Sequence, residues 1–303
     1  MKLRRKLFLF LTAICLATVV GRDTLAGPFR DRLESRGQAV LPEKTVIMKD
    51  VSYGPHPKQA MDVYIPQGGA PSGMIIMVHG GAWRMGDKSN RGVVGEKAKH
   101  WLPWGLAFIS INYRLLPEAD PWSQAGDVGA AVAFAQKQAG NWGVNGRKVI
   151  LMGHSAGAHL VALLTANPAL AGARGAKRWL GTVVLDSAAL DVEAVMKRAH
   201  LELYDYAFGE DEAYWRKLSP RSQLTQEGLP MLLVCSTIRK DKPCAAARVF
   251  ASHARKMGIP VRIVPQVLSH GEINKNLGQQ GQYTGAVDLF IRSLLEGAPL
   301  PLT

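Results

Sequence analysis

The sequence predicts an α/β fold: an open, mostly parallel eight-stranded sheet with helices on both faces. Three observations predict it. Eight short β-rich runs recur between residues 45 and 266. Most are continuously apolar instead of alternating, as strands buried on both faces are. Helical patterns separate the later runs, as successive parallel strands require. A chain of 303 residues, 47% hydrophobic and 20% charged, can bury a substantial core within one domain. No fixed-period repeat, linker or low-complexity tract divides it.

The chain opens on MKLRRKLFLFLTAICLATVVGRDTLA, a basic start (Lys2, Arg4, Arg5, Lys6) followed by an apolar run from Leu7 to Val20. This is the pattern of a secretory signal peptide over residues 1–26, with Thr24 and Ala26 as the small residues before cleavage at Gly27. The 14-residue run is shorter than the roughly 20 residues a membrane anchor needs, and Ile14 before Cys15 argues against a lipoprotein box. Residues 27–303 are therefore expected to be exported, periplasmic or secreted, with no transmembrane span after cleavage.

The expected strands are TVIMKDVSY (45–53), AMDVYIP (60–66), GMIIMVH (73–79), AFISINY (107–113), KVILMG (148–153), GTVVLD (181–186), PMLLVCS (230–236) and VRIVPQ (261–266). The first two read as an antiparallel opening pair and the rest as successive β-α units. Helical stretches fall near 90–103, 124–139, 155–166, 244–257 and 280–296. Residues 187–225 form a candidate small helical cap. Its Tyr204, Tyr206, Phe208, Tyr214 and Trp215 either select substrate or pack the cap onto the core. In open parallel sheets, ligands gather at the carboxyl ends of strands, and the chemistry-bearing residues of this chain fall there.

Gly153-His154-Ser155-Ala156-Gly157 ends one strand and opens a helical run, the strand, turn and helix context of a G-x-S-x-G nucleophile elbow. Flanking glycines relieve the clash of a tight turn that presents Ser155 as nucleophile. The helix start supplies N–H groups for a developing oxyanion. An earlier strand runs into His79-Gly80-Gly81-Ala82-Trp83. There the N–H groups of Gly81 and Ala82, with that of Ala156, are the candidate oxyanion hole. Trp83 is a candidate wall of the substrate pocket, and His79 reads as a structural residue holding the loop.

Of the eight histidines, His270 in VLSHGE is the candidate general base, just past the final strand. His100 and His253 fall within helical stretches, His56 in an early turn and His200 outside any strand end, while His154 and His159 flank the nucleophile too closely. A carboxylate must orient the base and stabilise its cation. Asp241, in STIRKDKPC, is the one acid between the strand PMLLVCS and His270, and it is the expected partner; Asp186, at the end of GTVVLD, is the alternative. Arg239, Lys240 and Lys242 crowd Asp241 and compete for its charge. Cys15 leaves with the signal, so Cys235 and Cys244 remain, either as a disulfide clamping the acid loop or as two buried thiols.

HGG-A-W, G-H-S-A-G, a late Asp and S-H-G, in this order, resemble the α/β-hydrolase superfamily. Within it the chain resembles the esterase/lipase group with an HGG-type oxyanion loop, and most nearly the bacterial feruloyl-esterase-like carboxylesterases, which sit near the arylformamidases. The resemblance covers roughly residues 45–296, and INYRLLPEADPWSQAGDVGAAVAFAQ (111–136) also looks like this group's segment before the nucleophile. It implies an α/β-hydrolase fold and places Asp127 in a structural role at a helix start. HGGA stands where hormone-sensitive-lipase relatives carry HGGG, and the acid context RKDKPC lacks the usual small residues.

The formal charge is +13, and the leader's five Lys/Arg against one Asp leave about +9 for the rest. Basic residues are scattered singly, without a stripe interleaved with aromatics, so no nucleic-acid partner is expected. No zinc-spaced Cys/His cluster or dinucleotide fingerprint is present, so no metal or organic cofactor is expected. The expectation is a serine carboxylesterase that hydrolyses short-chain or aryl esters, free or carbohydrate-linked, through an acyl-enzyme. The alternatives are an arylformamidase or amide hydrolase on the same residues, or a non-catalytic envelope binding protein of this fold.

Overall fold

The computed structural model describes residues 41–42 and 44–299; the expected leader over 1–26 lies outside them. Eight strands form one sheet: β1 (Thr45–Ser52), β2 (Ala60–Pro66), β3 (Gly73–Val78), β4 (Leu106–Ile111), β5 (Val149–His154), β6 (Gly181–Leu185), β7 (Met231–Ser236) and β8 (Val261–Gln266). Their spatial order is β1-β2-β4-β3-β5-β6-β7-β8. β1 pairs antiparallel with β2 and β2 antiparallel with β4, and every later pairing is parallel. This is the eight-stranded, mostly parallel sheet of an α/β-hydrolase, as expected.

The main helices are α1 (Arg91–Trp101), α2 (Pro121–Gln138), α3 (Ala156–Ala166), α4 (Ala169–Gly172), α5 (Val192–Met196), α6 (Glu202–Phe208), α7 (Glu212–Leu218), α8 (Pro243–Lys256), α9 (His270–Asn276) and α10 (Gln282–Glu296). Period-two geometry divides each central strand between two cores. Met74, Ile76 and Val78 of β3 join the apolar faces of α2, α3 and α8, while Ile75 and Met77 meet α1, α9 and α10 on the other face. Both faces are covered, so a strand without alternation is stable here and its apolar run is legible.

One helix boundary differs from expectation, and one helix, α9, was not expected. α2 begins at Pro121 because Asp120 accepts the Ser123 N–H at 2.8 Å and Pro121 occupies the first turn. Asp127 is therefore mid-helix, where it accepts from Gln59 and forms an ion pair with Arg114. α9 starts at Ser269, whose side chain and that of Glu272 form a reciprocal capping box. Ser-x-x-Glu was present in the sequence as that signal.

The cap region folds as three short helices, α5 to α7. Asp191 accepts the Ala194 N–H and pairs with Arg221. Tyr214 O–H donates to Asp120 at 2.7 Å, tying α7 to the start of α2. Trp83 meets Phe208 and Tyr204 at ring distances of 4.9 and 5.9 Å. Most cap aromatics thus pack the cap down, whereas Tyr206 stays half exposed under the Arg84 guanidinium. Cys235 of β7 and Cys244 of α8 form a disulfide, and among the described residues no helix is long and apolar enough to cross a membrane.

Candidate active site

Five parallel strands end on one edge of the sheet, and the loops beyond β3, β5, β6, β7 and β8 bring the candidate residues together. Ser155 adopts φ 57°, ψ −118° between β5 and α3, a strained conformation of the kind that sharp functional turns impose on a non-glycine residue. Its N–H donates to Leu185 O of β6 at 2.9 Å, which fixes the turn against the neighbouring strand. The turn is this tight because its flanks lack side chains. A Cβ on Gly157 would lie 2.4 Å from the Val78 and His79 carbonyls, and one on Gly153 2.4 Å from Gly157 O.

The loop after β3 passes directly beneath. Gly81 takes φ 123°, and a Cβ there would lie 2.0 Å from Met85 O; Arg84 and Met85 N–H close the turn on Gly81 O. Ala82 and Trp83 follow with φ 51° and 60°. His79 is buried, stacks on Tyr113 at 4.6 Å and donates from Nδ1 to Gly80 O at 2.7 Å. Burial holds its pKa below the ordinary range, so it remains a neutral strut, the role expected of it.

Trp83 is nearly fully buried and its Nε1–H donates to His159 Nδ1 at 3.2 Å. That fixes the His159 proton on Nε2, which donates to Leu218 O at 2.8 Å. Burial lowers His159 to about 4. One histidine of α3 therefore joins the turn at Ala82 and Trp83 to the end of α7.

His270 begins α9, and its Nδ1 lies 2.7 Å from Asp186 Oδ2. The expected partner, Asp241, is elsewhere: it receives Nε and Nη2 of Arg239. Asp186 sits immediately past β6 with its side chain fully buried. Its Oδ1 accepts the Ser236 N–H of β7 at 2.8 Å, and its own N–H donates to Val234 O. Burial pushes the Asp186 pKa up, but the His270 hydrogen bond and the Arg239 charge outweigh it, and the net direction is down.

Arg239 is the residue that sequence reasoning noticed only as a competitor. Its Nη1 is 2.7 Å from Asp186 Oδ2, 3.0 Å from Asp186 O and 2.8 Å from His270 Nδ1. Guanidinium nitrogen only donates, and the two Asp186 oxygens take both Nη1 protons. The Nδ1 proton of His270 is thereby left to Asp186. The order Asp241, Arg239, Asp186, His270 is a chain of alternating charge ending on the imidazole.

Two further residues support this histidine. His154 Nε2 donates to His270 O at 3.0 Å, and burial followed by the His270 charge lowers His154 to about 3. Lys97, fully buried, donates to Gly92 O at 2.8 Å and to Asn274 O of α9, and burial lowers it to about 7. Sequence offered no signal for Lys97, since its partners are main-chain carbonyls.

Ala82, Trp83, Ser155, Ala156, Asp186 and His270 line one cavity of about 280 Å³. Leu201, Leu203 and Tyr204 of the cap close it from above. Gly81 shapes the turn from one residue behind the wall, and Asp241 touches the cavity beside Arg239. Among the described residues no group of three or more His, Cys, Asp or Glu is placed to hold a metal ion. A buried carboxylate, an imidazole and a half-buried, cavity-lining serine at a helix start form a set suited to moving one proton while a nucleophile forms.

The family model BD-FAE matches residues 61–238. Esterase LipC of Mycobacterium tuberculosis is 33% identical over 162 residues, 50% of this chain and 39% of its own. A probable isoprenylcysteine α-carbonyl methylesterase of Arabidopsis thaliana is 22% identical over 261 residues, 80% of this chain and 54% of its own. The matches thus cover about half or less of these curated relatives. A truncated carbohydrate esterase from gut microbiota superposes with a TM-score of 0.72 at 18% identity, over 86% of this chain and 99% of that one, a likeness of fold.

Proposed function

Because the chain belongs to the BD-FAE family of the α/β-hydrolase superfamily, we propose that it is a serine carboxylesterase of short-chain or aryl esters, with Ser155 as nucleophile, His270 as base and Asp186 as the orienting acid. The observation that carries this reading is the Asp186 to His270 hydrogen bond of 2.7 Å in the cavity that also exposes Ser155. His270 Nε2 takes the Ser155 proton as Oγ attacks the ester carbonyl carbon. The carbonyl electron pair moves to oxygen, where the N–H groups of Gly81, Ala82 and Ala156 stabilise the oxyanion. Collapse expels the alcohol, which takes the proton back from His270. Water repeats the sequence on the acyl-enzyme, releasing the acid and restoring Ser155.

Asp186 keeps the imidazole in the Nδ1–H tautomer and stabilises the imidazolium that forms. Asp241 acts one step further out by holding Arg239. Export belongs to the same reading, supported by the basic-then-apolar leader and by a disulfide of the kind that persists in oxidising compartments. The test is hydrolysis of p-nitrophenyl butyrate, with labelling by a fluorophosphonate. Ser155→Ala is expected to lose both turnover and label while retaining the circular dichroism of the parent. A parent protein that neither turns over esters nor takes the label would instead support a binding protein on a hydrolase fold.

A further inference from the structure

Beside the catalytic cavity lies a larger one of about 390 Å³, lined by Val195, Arg198, Ala199, His200, Lys240 and Lys242. The two share Ala188, Leu201, Tyr204 and Asp241 as walls, so a molecule reaching Ser155 can extend from one into the other. Charge in this second cavity is lopsided. Among the described residues no carboxylate pairs with Arg198, Lys240 or Lys242. Its one lining acid, Asp241, is already bound to Arg239. His200 donates to Asp205 at 2.7 Å, and that partner raises its pKa. α8 adds to the imbalance: it begins beside Lys242 with no side-chain cap and no acid in its first turn. The remaining walls, Ala188, Val195, Ala199, Leu201 and the ring of Tyr204, are mostly apolar.

We propose that this cavity binds an anionic group, a carboxylate in particular, on the ester substrate. Three cations that no carboxylate among the described residues pairs, beside apolar walls, fit an ester that carries a carboxylate better than a neutral ester. The surplus basic charge of the whole chain draws the same ligands.

This inference rests on the esterase reading for the kind of ligand, and the experiment separates the two. The probes are 4-acetoxybenzoate and its neutral analogue 4-acetoxybenzamide, compared by kcat/KM. The parent is expected to favour the anion by about tenfold at low ionic strength, with the preference shrinking as salt screens it. In an Arg198→Ala, Lys240→Ala, Lys242→Ala variant the ratio is expected to fall to about one. Equal turnover of both esters by the parent, or a ratio that neither salt nor the variant moves, overturns the proposal. Binding is read separately by calorimetry on Ser155→Ala with 4-hydroxybenzoate and 4-hydroxybenzamide. Tighter binding of the anion with no hydrolysis of either ester leaves the anion site standing and removes the esterase. Hydrolysis without charge discrimination does the reverse.

Discussion

Ser236 N–H, Arg239 and His270 all converge on the carboxylate of Asp186, which has no exposed surface of its own. Removing its charge leaves a buried amide against an arginine and presents His270 Nδ1 with a group that can donate. Asp186→Asn is therefore expected to lower kcat about a thousandfold or more toward p-nitrophenyl butyrate. Asp241→Asn, which disturbs only the far side of Arg239, should cost about tenfold. Equal losses, or a larger loss at Asp241, would return the orienting role to the residue first expected from sequence. The tight turns at Ser155 and HGGA and the place of His270 past the last strand were readable because local sequence dictates each: glycines where a turn is too tight for a Cβ, and a histidine at a strand end. The carboxylate that meets His270 was not, because whether Asp186 or Asp241 reaches it depends on a contact across β6, β7 and β8. An arginine two residues from Asp241 captures it locally, and no spacing rule states which carboxylate the sheet delivers to the imidazole.

Elements were legible in proportion to the regularity of their burial. The eight strands, apolar throughout or nearly so in the parallel region, fall within a residue or two of expectation. The cap helices, five to seven residues long, are too short to show a period, and only the region they occupy could be named. One link between the cap and the strand-end edge of the sheet is the relay from Trp83 through His159 to Leu218, and it has a pH signature. His159 falls to about 4 in the fold against an ordinary 6.5. Between these values the unfolded chain takes up a proton that the folded chain refuses. The stabilisation is complete above pH 6.5 and is lost as pH falls toward 4, and His154 adds to it in the same direction. His159→Ala should destabilise by about 2–4 kcal/mol, through a cavity and two orphaned polar groups. It should also show a shallower decline of urea midpoint between pH 6.5 and 4. An unaltered pH slope in that variant would remove His159 from the account.

At the scale of the whole molecule, one cross-link bears on both cavities. The disulfide from Cys235 to Cys244, nine residues apart with Cα atoms 5.1 Å from each other, closes the loop that carries Arg239, Lys240, Asp241 and Lys242. Closing a loop of this length contributes about 2–3 kcal/mol by restricting the unfolded chain, and in the folded chain it restrains the arginine that touches His270. The paired Cys235→Ala, Cys244→Ala variant should lose about that much stability in urea. Its kcat should fall more than its KM changes, because the proton-handling end of the site loosens while the Ser155 turn, built on β5 and α3, does not. A variant with lowered stability but full kcat would confine the bond to a structural role. The same bond links fold to compartment. Exported through the leader proposed over residues 1–26, the mature chain should begin at Gly27 by N-terminal sequencing and show no free thiol after denaturation and alkylation. A retained leader would refute cleavage, and two alkylated cysteines would refute the oxidising compartment. In the second case the loop around Arg239 would lack its covalent closure and rest on its hydrogen bonds and its ion pairs with Asp186 and Asp241.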